Sequence, residues 1–255
     1  MAETHDGTKN RGLLRLATLA AVLIVAEVAG RRTNPIIFVP PSAMLKAFLR
    51  LLTDGELPAA LWFSFRTLVL GFILGAIPGT GLGMAMGRYR IMERIFEPYV
   101  NALYATPLVA LTPLVVVWFG PGLLGKVLFV ALWVVFPVLV NTYVGTRDAD
   151  RSLLEVGRAF GASEQQILKH IVWPYVIPYV VSGLRLAVGR AIVGMVVAEM
   201  SLRLSGLGGL LMVYGASFST DVVFALVLIL LAFGAGLTEL VRMAERKVAP
   251  WKWGG

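Results

Sequence analysis

The chain has 255 residues, of which 58% are apolar and only 15% are charged, so it has too little polar surface to cover a water-facing globule of its size. This excludes a soluble enzyme, a disordered chain and, because cysteine is absent, a disulfide-bonded secreted domain. The net charge of +8 fits lysine and arginine in the cytoplasmic loops of a membrane protein better than nucleic-acid binding, because no basic stripe carries interleaved aromatic residues.

Six apolar stretches divide the chain. Each is long enough to form a membrane-crossing helix, which needs about 20 apolar residues. The predicted spans cover residues 13–29, 62–86, 101–119, 127–144, 177–200 and 222–241. We therefore predict an all-α polytopic membrane protein with a single transmembrane domain over residues 1–255 and with both termini on the same side.

The first stretch allows two interpretations. Its basic start and apolar run suggest a secretory signal peptide, but the run exceeds the usual length of about 7–15 residues. Glu27 also stands where a small-residue cleavage site should lie. We therefore favour a retained span over a cleaved signal.

A short amphipathic segment follows Pro41. Ser42 can cap a helix whose apolar residues recur with helical spacing and whose polar side carries Lys46 and Arg50. Such a helix either lies on the outer membrane surface or forms a connector packed on neighbouring spans.

The second stretch has glycine at every fourth position, namely Gly71, Gly75, Gly79, Gly83 and Gly87. This spacing places the glycines on one ridge of a helix, where small residues let another helix approach closely in a bilayer. Five glycines in register exceed the general tolerance of membrane helices for glycine. We predict a tight packing face, either within the subunit or between subunits, and a kink at Pro78.

Residues 120–127 match a phosphate-binding loop except at the last position. A true loop of this kind ends in serine or threonine, whose hydroxyl holds Mg²⁺, and it joins a strand to a helix. Here Val127 occupies that position, and the segment connects two predicted spans. We interpret the Gly-Pro-Gly sequence as a tight turn and expect no nucleotide site in this chain.

The loop at 148–174 carries the signals of a helix–turn–helix element. Two capping boxes mark helix starts, Ser152 with Glu155 and Ser163 with Gln166. Gly161 lies between them, where a helix ends with a residue of positive φ, and Pro174 either ends the second helix or kinks it into the fifth span. The first helix has an apolar face with a charged rim, which suits docking into a groove on a partner or packing on the subunit's own spans.

The fifth stretch contains Arg185, Arg190 and Glu199. A charge at the centre of a membrane helix costs roughly 2.5–3.5 kcal/mol, so each side chain should face a cavity or a partner. Arg190 and Glu199 lie nine residues apart, on opposite helix faces, which excludes an intrahelical pair. Arg190 either lines the path of an anion or bonds a backbone carbonyl or another span. The predicted pathway residues are Arg190, Glu199, Asn101 and Thr106.

The glycine-interrupted segment at 205–219 is apolar but too short to cross a bilayer. It suits a re-entrant or surface helix near the outer mouth of a transport path.

The distribution of lysine and arginine predicts the orientation. With the N-terminus inside, the inner segments hold fourteen of these residues and the outer segments hold six. Because positive residues collect in cytoplasmic loops, we predict that both termini and the 148–174 loop are cytoplasmic. The first outer loop carries four basic residues and argues locally against this orientation.

The 148–174 loop resembles the EAA loop of ABC importer permeases, the pattern Glu-Ala-Ala-x₃-Gly-x₉-Ile-x-Leu-Pro. Glu155, Gly161, Ile171 and Pro174 fall on this spacing. Val156 and Gly157 replace the two alanines, and Trp173 replaces the leucine. The resemblance extends from about Phe38 onward and is greatest to permeases for nitrate, taurine, other alkanesulfonates, bicarbonate and pyrimidine precursors.

This resemblance implies a type I ABC importer permease that works by alternating access and performs no catalysis itself. It implies a second copy of the chain as a homodimer partner, a cytoplasmic ATPase dimer that binds ATP and Mg²⁺, and a periplasmic or lipid-anchored solute-binding protein at a bacterial inner membrane. It assigns the ATPase-docking element to Glu155, Arg158, Gly161, Ala162 and Ser163. The alternatives are a secondary carrier or channel without an ATPase, and a membrane-embedded enzyme, for which no acid–base or metal constellation is present.

Overall fold

The computed structural model describes residues 6–149, 151–202 and 204–248, and in this part of the chain all regular secondary structure is helical. The helices are α1 (Asp6–Arg32), α2 (Pro41–Thr53), α3 (Glu56–Arg88), α4 (Arg90–Ala105), α5 (Thr112–Phe119), α6 (Leu123–Arg147), α7 (Arg151–Ala159), α8 (Glu164–Ile167), α9 (Trp173–Ser201), α10 (Gly206–Ala216) and α11 (Thr220–Val248). A 3₁₀ turn, Leu108–Leu111, precedes α5, and a π-helical segment, Leu168–Val172, joins α8 to α9.

Four helical stretches in the described residues are long and apolar enough to cross a membrane. They are α3, α6, Glu164–Ser201 and Thr220–Met243. These stretches contain the predicted spans at 62–86, 127–144, 177–200 and 222–241. The predicted first span, 13–29, lies within α1, several of whose side chains fall outside the description. The count of six crossings therefore stays a prediction.

The stretch predicted as the third span, 101–119, is not one continuous helix, which corrects the sequence interpretation. The helix α4 ends at Ala105, and the chain direction changes by 97° before Leu108–Phe119. Thr106 is extended, with φ −76° and ψ 134°, because the ring of Pro107 disfavours a helical conformation in the residue before it. Proline also lacks the N–H that would continue the helix.

The glycine ridge of α3 packs along α6 within the same subunit. A Cβ atom added at Gly71 would lie 2.5 Å from Val130 Cβ, and one added at Gly87 would lie 2.5 Å from Thr146 Cβ. Neither distance leaves room for a side chain, so glycine lets the two backbones approach closely. The contacts advance in the same sequence direction along both helices, so α3 and α6 run parallel. Of the two arrangements that the sequence left open, the ridge adopts the intrasubunit one.

Helix α9 packs antiparallel against another side of α6. Cβ atoms added at Gly183 and Gly194 would lie 3.0 Å from Asn141 Cβ and 2.7 Å from the Trp133 ring. The buried residues that α3, α6 and α9 share are Leu68, Val130, Val134, Val138, Ala187, Ala191 and Met195. Helix α6 therefore lies at the centre of the core, with α3 and α9 held against it.

Glu27 of α1 caps the N-terminus of α2. Its carboxylate accepts hydrogen bonds from the Ser42 backbone N–H at 3.0 Å and from Ser42 Oγ at 2.7 Å. Helix α2 begins at Pro41, so Ser42 lies inside the first turn, and its predicted capping role is wrong. A carboxylate is favourable at this position because it faces the unpaired N–H groups of the helix start.

The chain runs without a break from α8 into α9, over the 38 residues Glu164–Ser201. Pro174 has no N–H, and its ring would clash with the carbonyl of the residue four positions earlier in a regular α-helix. The π-helical segment before it accommodates this, and the Trp173 N–H donates to the Leu168 carbonyl, five residues earlier. The second helix of the loop is therefore the first part of the membrane-crossing helix.

Candidate functional site

The two predicted capping boxes of the 148–174 loop have different outcomes. The box at Ser163 is present, since Gln166 N–H donates to Ser163 Oγ at 3.3 Å and Ser163 N–H donates to Gln166 Oε1 at 2.8 Å. The box at Ser152 is not, because α7 already begins at Arg151. Glu155 consequently lies in the second turn of α7 and does not cap it.

Gly161 ends the first helix of the loop as predicted, with φ +74°. Its N–H donates to the Arg158 carbonyl at 2.9 Å, and the Ala162 N–H donates to the Gly157 carbonyl at 3.0 Å. These two bonds form a Schellman motif, which satisfies the last carbonyls of the helix and turns the chain sharply. An added Cβ would meet nothing within 4 Å, so the backbone conformation alone favours glycine here.

Glu164 connects the loop to the end of α3. One carboxylate oxygen pairs with Arg88, the last residue of α3, and the other lies 3.5 Å from Arg158 Nη2. The three residues therefore hold α7, α8 and α3 together at one end of the subunit. The sequence analysis missed Arg88 because 76 residues separate it from Glu164, and no local pattern links them.

Helix α7 has one face against its own subunit and one without cover. Leu154 packs against the buried cluster that contains Ile167 and Val172, and a Cβ added at Gly157 would lie 2.9 Å from Ile171 Cδ1. The uncovered face carries Leu153, Val156 and Phe160, which are 50%, 51% and 87% exposed. We call these three residues the apolar strip of α7. The charged residues Glu155 and Arg158 of the predicted docking element are also exposed, as are Gly161 and Ser163 at the turn, while Ala162 is half-buried.

Arg190 meets the end of α4. Its Nη2 donates to the Tyr104 hydroxyl at 3.2 Å, and its guanidinium lies 5.2 Å from the centre of the Tyr104 ring. Tyr104 in turn contacts the buried ring of Phe136, with the two ring centres 6.2 Å apart. It lies in the chain between Asn101, which is exposed, and Thr106, which is half-buried. Three of the four predicted pathway residues are therefore grouped around Tyr104, a residue that the sequence analysis did not select.

The side of α9 that bears Arg190 is exposed along three turns. The exposed residues on this side are Arg185, Leu186, Gly189, Arg190 and Val193. They recur with helical spacing and form one continuous face of a membrane-crossing helix. A face that carries two arginines is unsuited to lipid, so it should border a water-filled path or another subunit.

Glu199, the fourth predicted pathway residue, lies on the opposite side of α9 and is fully buried. Its Oε2 accepts hydrogen bonds from Ser64 Oγ of α3 and from the Gly208 N–H of α10, both at 2.9 Å. These contacts place it inside the subunit, away from the exposed face of α9, which argues for a structural role and against a place on the path. No group of three or more histidine, aspartate or glutamate side chains that could hold a metal ion occurs in the described part of the chain.

Comparison with known proteins adds a family match. Residues 77–250 match the family described as "Binding-protein-dependent transport system inner membrane component". The match begins in the second half of α3 and includes the whole 148–174 loop.

Several curated permeases are similar over nearly their full length. The chain is 33% identical over 249 residues to the putative aliphatic sulfonates transport permease protein of Bacillus subtilis (strain 168), covering 96% of this chain and 90% of that protein. It is 29% identical to the taurine transport system permease protein of Escherichia coli (strain K12), covering 93% and 89%. It is 31% identical to the riboflavin transport system permease protein of Chloroflexus aurantiacus, covering 92% and 88%.

A solved structure has the same fold. A chain of the MetNI methionine ABC transporter, in an inward-facing conformation, aligns with a TM-score of 0.51 and 22% identity. The alignment covers 75% of this chain and 91% of that chain. At this identity the likeness concerns the fold alone, which is the permease fold of type I ABC importers.

Proposed function

Because the chain belongs to the family of binding-protein-dependent transport system inner membrane components and is a permease subunit of an ABC importer, we propose that it carries a small organic anion of the alkanesulfonate or taurine type. The permease is not itself an enzyme, and family membership implies a separate ATPase and a solute-binding protein as partners. The substrate class rests on one structural observation, the exposed Arg190 inside a membrane-crossing helix, together with the named substrates of the relatives.

Arg190 supports an anionic substrate through its position. An arginine within a membrane helix costs roughly 2.5–3.5 kcal/mol, and the Tyr104 hydroxyl and ring offset only part of this because they leave the guanidinium exposed. A guanidinium offers several N–H donors in a planar fork, which matches the oxygens of a sulfonate. We assign the path to the exposed face of α9 and to the α4 end with Asn101, Tyr104 and Thr106.

The path is completed, in this proposal, by a second copy of the chain. The exposed face of α9 has no covering element in the described residues, and Arg190 on it cannot face lipid without a high free-energy cost. In a homodimer the two α9 faces would lie across a twofold axis and enclose the path between them.

The apolar strip of α7 is the proposed docking site for the ATPase. An exposed apolar helix face with a charged rim fits a hydrophobic groove on a partner, and the exposed Glu155, next to Val156, supplies a charge on this rim. Gly161 directs this helix, and Ser163 begins the helix that continues into α9. ATP and Mg²⁺ would be bound by the partner ATPase dimer and not by this chain.

The proposed orientation places the 148–174 loop and both termini in the cytoplasm of a bacterial cell. The excess of lysine and arginine in the segments on that side supports it. The same orientation places α2 and α10 at the outer surface, where a periplasmic or lipid-anchored binding protein delivers the solute.

Uptake by the assembled importer tests the proposed substrate class. The permease is co-expressed with its ATPase and binding protein, reconstituted into liposomes with ATP inside or outside as the orientation requires, and supplied with labelled taurine, an alkanesulfonate or riboflavin. We expect ATP-dependent uptake of a sulfonate and none of riboflavin. Uptake of riboflavin without uptake of either sulfonate would overturn the anion assignment. Uptake without ATP would favour the alternative of a secondary carrier or channel.

A further inference from the structure

A cluster of polar side chains lies buried where α3, α6 and α9 meet α10. We call Ser64, Lys126, Glu199 and Ser205 the buried polar cluster. Ser64 and Glu199 are fully buried and Lys126 is 1% exposed. These residues come from α3, α6, α9 and the position just before α10. Charged residues are rarely placed so deep in a membrane subunit without a role that only they can perform.

The hydrogen bonds of this cluster hold the beginning of α10. Glu199 Oε2 accepts from Ser64 Oγ and from the Gly208 N–H, and Ser64 Oγ accepts from the Leu207 N–H, each at 2.9 Å. Two of the first N–H groups of α10 are thus bound by side chains of α3 and α9. These groups have no partner within their own helix, so the cluster satisfies them where water is excluded.

The backbone of α10 is shaped to approach Glu199 closely. Gly206 has φ +66°, and a Cβ added to it would collide with the Glu199 carboxylate. A Cβ added at Gly208 would lie 2.8 Å from Glu199 Cβ. Lys126 donates to Ser205 Oγ, so α6 also contributes to the attachment.

The other end of α10 is attached as well. The Tyr214 hydroxyl donates to Glu56 Oε2, at the start of α3, at 2.8 Å. The turn that follows α10 contains Phe218, which is 72% exposed and is the one non-glycine residue with positive φ, +54°, in the described part of the chain. A strained and exposed aromatic residue is a feature of functional surfaces.

Glu199 also marks the far end of a single continuous helix. That helix begins at Glu164 in the 148–174 loop. Glu164 pairs with Arg158 of the same loop and with Arg88 at the end of α3. Glu164 and Glu199 lie 35 positions apart, about 52 Å at about 1.5 Å per residue, which is more than the thickness of a bilayer's hydrocarbon core. One continuous helix, which contains the π-helical segment Leu168–Val172, thus touches the proposed ATPase-docking loop at one end and α10 at the other.

We propose that Glu199 is a positioning residue that fastens α10 to α9 through the buried polar cluster, so that a displacement of the 148–174 loop moves α10 and the Phe218 turn at the opposite surface. The inference rests on the proposed function, because it takes the loop as the ATPase-docking element and the α10 side as the surface that meets the binding protein. In this proposal, the ATPase and the binding protein communicate through the hydrogen bonds that attach α10 to α9, and not through the exposed face of α9.

The test compares Glu199→Gln with the parental importer, purified with its ATPase and reconstituted in nanodiscs. The variant keeps the side-chain volume and removes the charge. We expect the ATPase to co-purify normally and basal hydrolysis to persist, while stimulation by the taurine-loaded binding protein falls roughly tenfold, because the glutamine oxygen can accept only neutral hydrogen bonds where the carboxylate accepts stronger, charge-assisted ones. Hydrogen exchange should rise in residues 206–216 and not in α7. Glu239→Gln, which removes an exposed carboxylate from α11, is the matched control and should leave both measurements unchanged.

Ser64→Ala keeps the experiment decisive if the Glu199 variant does not assemble. It removes one donor and one acceptor of the cluster and leaves the carboxylate and Lys126 in place. The inference would be overturned if the variant that assembles showed the parental stimulation of ATP hydrolysis and the parental hydrogen exchange in α10. If the parental complex itself is not stimulated by the binding protein, the proposed function fails, and the exchange of residues 206–216 still shows whether Glu199 holds α10.

Discussion

Gly161 illustrates how one residue directs a docking surface. Its φ of +74° closes the Schellman motif after α7, and the open space around it means that a side chain would be opposed by the backbone conformation and not by a neighbour. A substitution there should therefore change the direction of α7 while leaving the core intact.

Gly161→Val should insert and assemble, yet lose ATPase co-purification or uncouple hydrolysis from transport. The positive-φ penalty of about 1 kcal/mol for a β-branched residue is small against the stability of the subunit, but it shifts the apolar strip. Gly236→Val is the matched control, because Gly236 also has open space around it but lies within α11. Normal ATPase binding and parental transport by Gly161→Val would refute the docking role of this loop.

Arg190→Gln should reduce uptake roughly tenfold without reducing assembly, because the charge is lost while most of the volume stays. Uptake in vesicles and the yield of purified complex are the two measurements. Arg94→Gln is the control, since Arg94 is an exposed arginine of α4 that lies outside the predicted spans. Unchanged uptake in Arg190→Gln would remove Arg190 from the path, and lost assembly would assign it a structural role with Tyr104.

At the scale of helices, α3 and α6 form one unit because their backbones are close enough to exclude side chains. The ridge glycines face valine and threonine side chains and carbonyl oxygens of α6 at every fourth residue. Within a bilayer this packing supplies dispersion contacts that lipid cannot match, since no hydrophobic gain is available between helices.

Gly79→Leu should lower the yield of assembled complex, because an added Cβ would already lie 2.8 Å from the Val135 carbonyl oxygen. Overpacking of this kind costs about 1–3 kcal/mol or more. Gly81→Leu offers a matched control in the same helix, since nothing lies within 4 Å of a Cβ at Gly81. Equal yields of the two variants, measured by size-exclusion chromatography of the complex, would contradict the packing assignment.

The parts that were predictable from sequence are those encoded by local spacing. The glycine ridge, the turn at Gly161 and the capping box at Ser163 each depend on residues within a few positions of one another. The break at Thr106 was missed because the apolar content stays high on both sides of it, although Pro107 indicates that a helix ends there. Contacts such as Tyr104 with Arg190 join residues 86 apart, so packing of whole helices determines them.

At the scale of the whole molecule, the helix directions separate two surfaces. Parallel α3 and α6 both end on the side of the 148–174 loop, where Arg88 meets Glu164, while antiparallel α9 begins there. The buried polar cluster and α10 lie at the opposite ends of the same three helices. The permease thus presents two well-separated sides, as a subunit with partners in two compartments requires.

A cysteine introduced at Ser163 should react with an impermeant thiol reagent only after the membrane is opened, and one introduced at Phe218 should react in intact cells. Both side chains are exposed, and the natural chain has no cysteine to interfere. Labelling of the Ser163 variant from outside, with protection of the Phe218 variant, would reverse the proposed orientation.

The π-helical segment before Pro174 limits the length of this region as well as its composition. Each residue of an α-helix turns the chain by about 100°, so removing one residue of α8, between Gly161 and the π-helical segment, would rotate α7 about the axis of α9 by about that angle. The apolar strip would then point to a different side of the subunit, although every contact within α7 could survive. A deletion in 164–167 should therefore be far more damaging than most substitutions there, and the spacing between the glycine and the proline is itself a functional quantity.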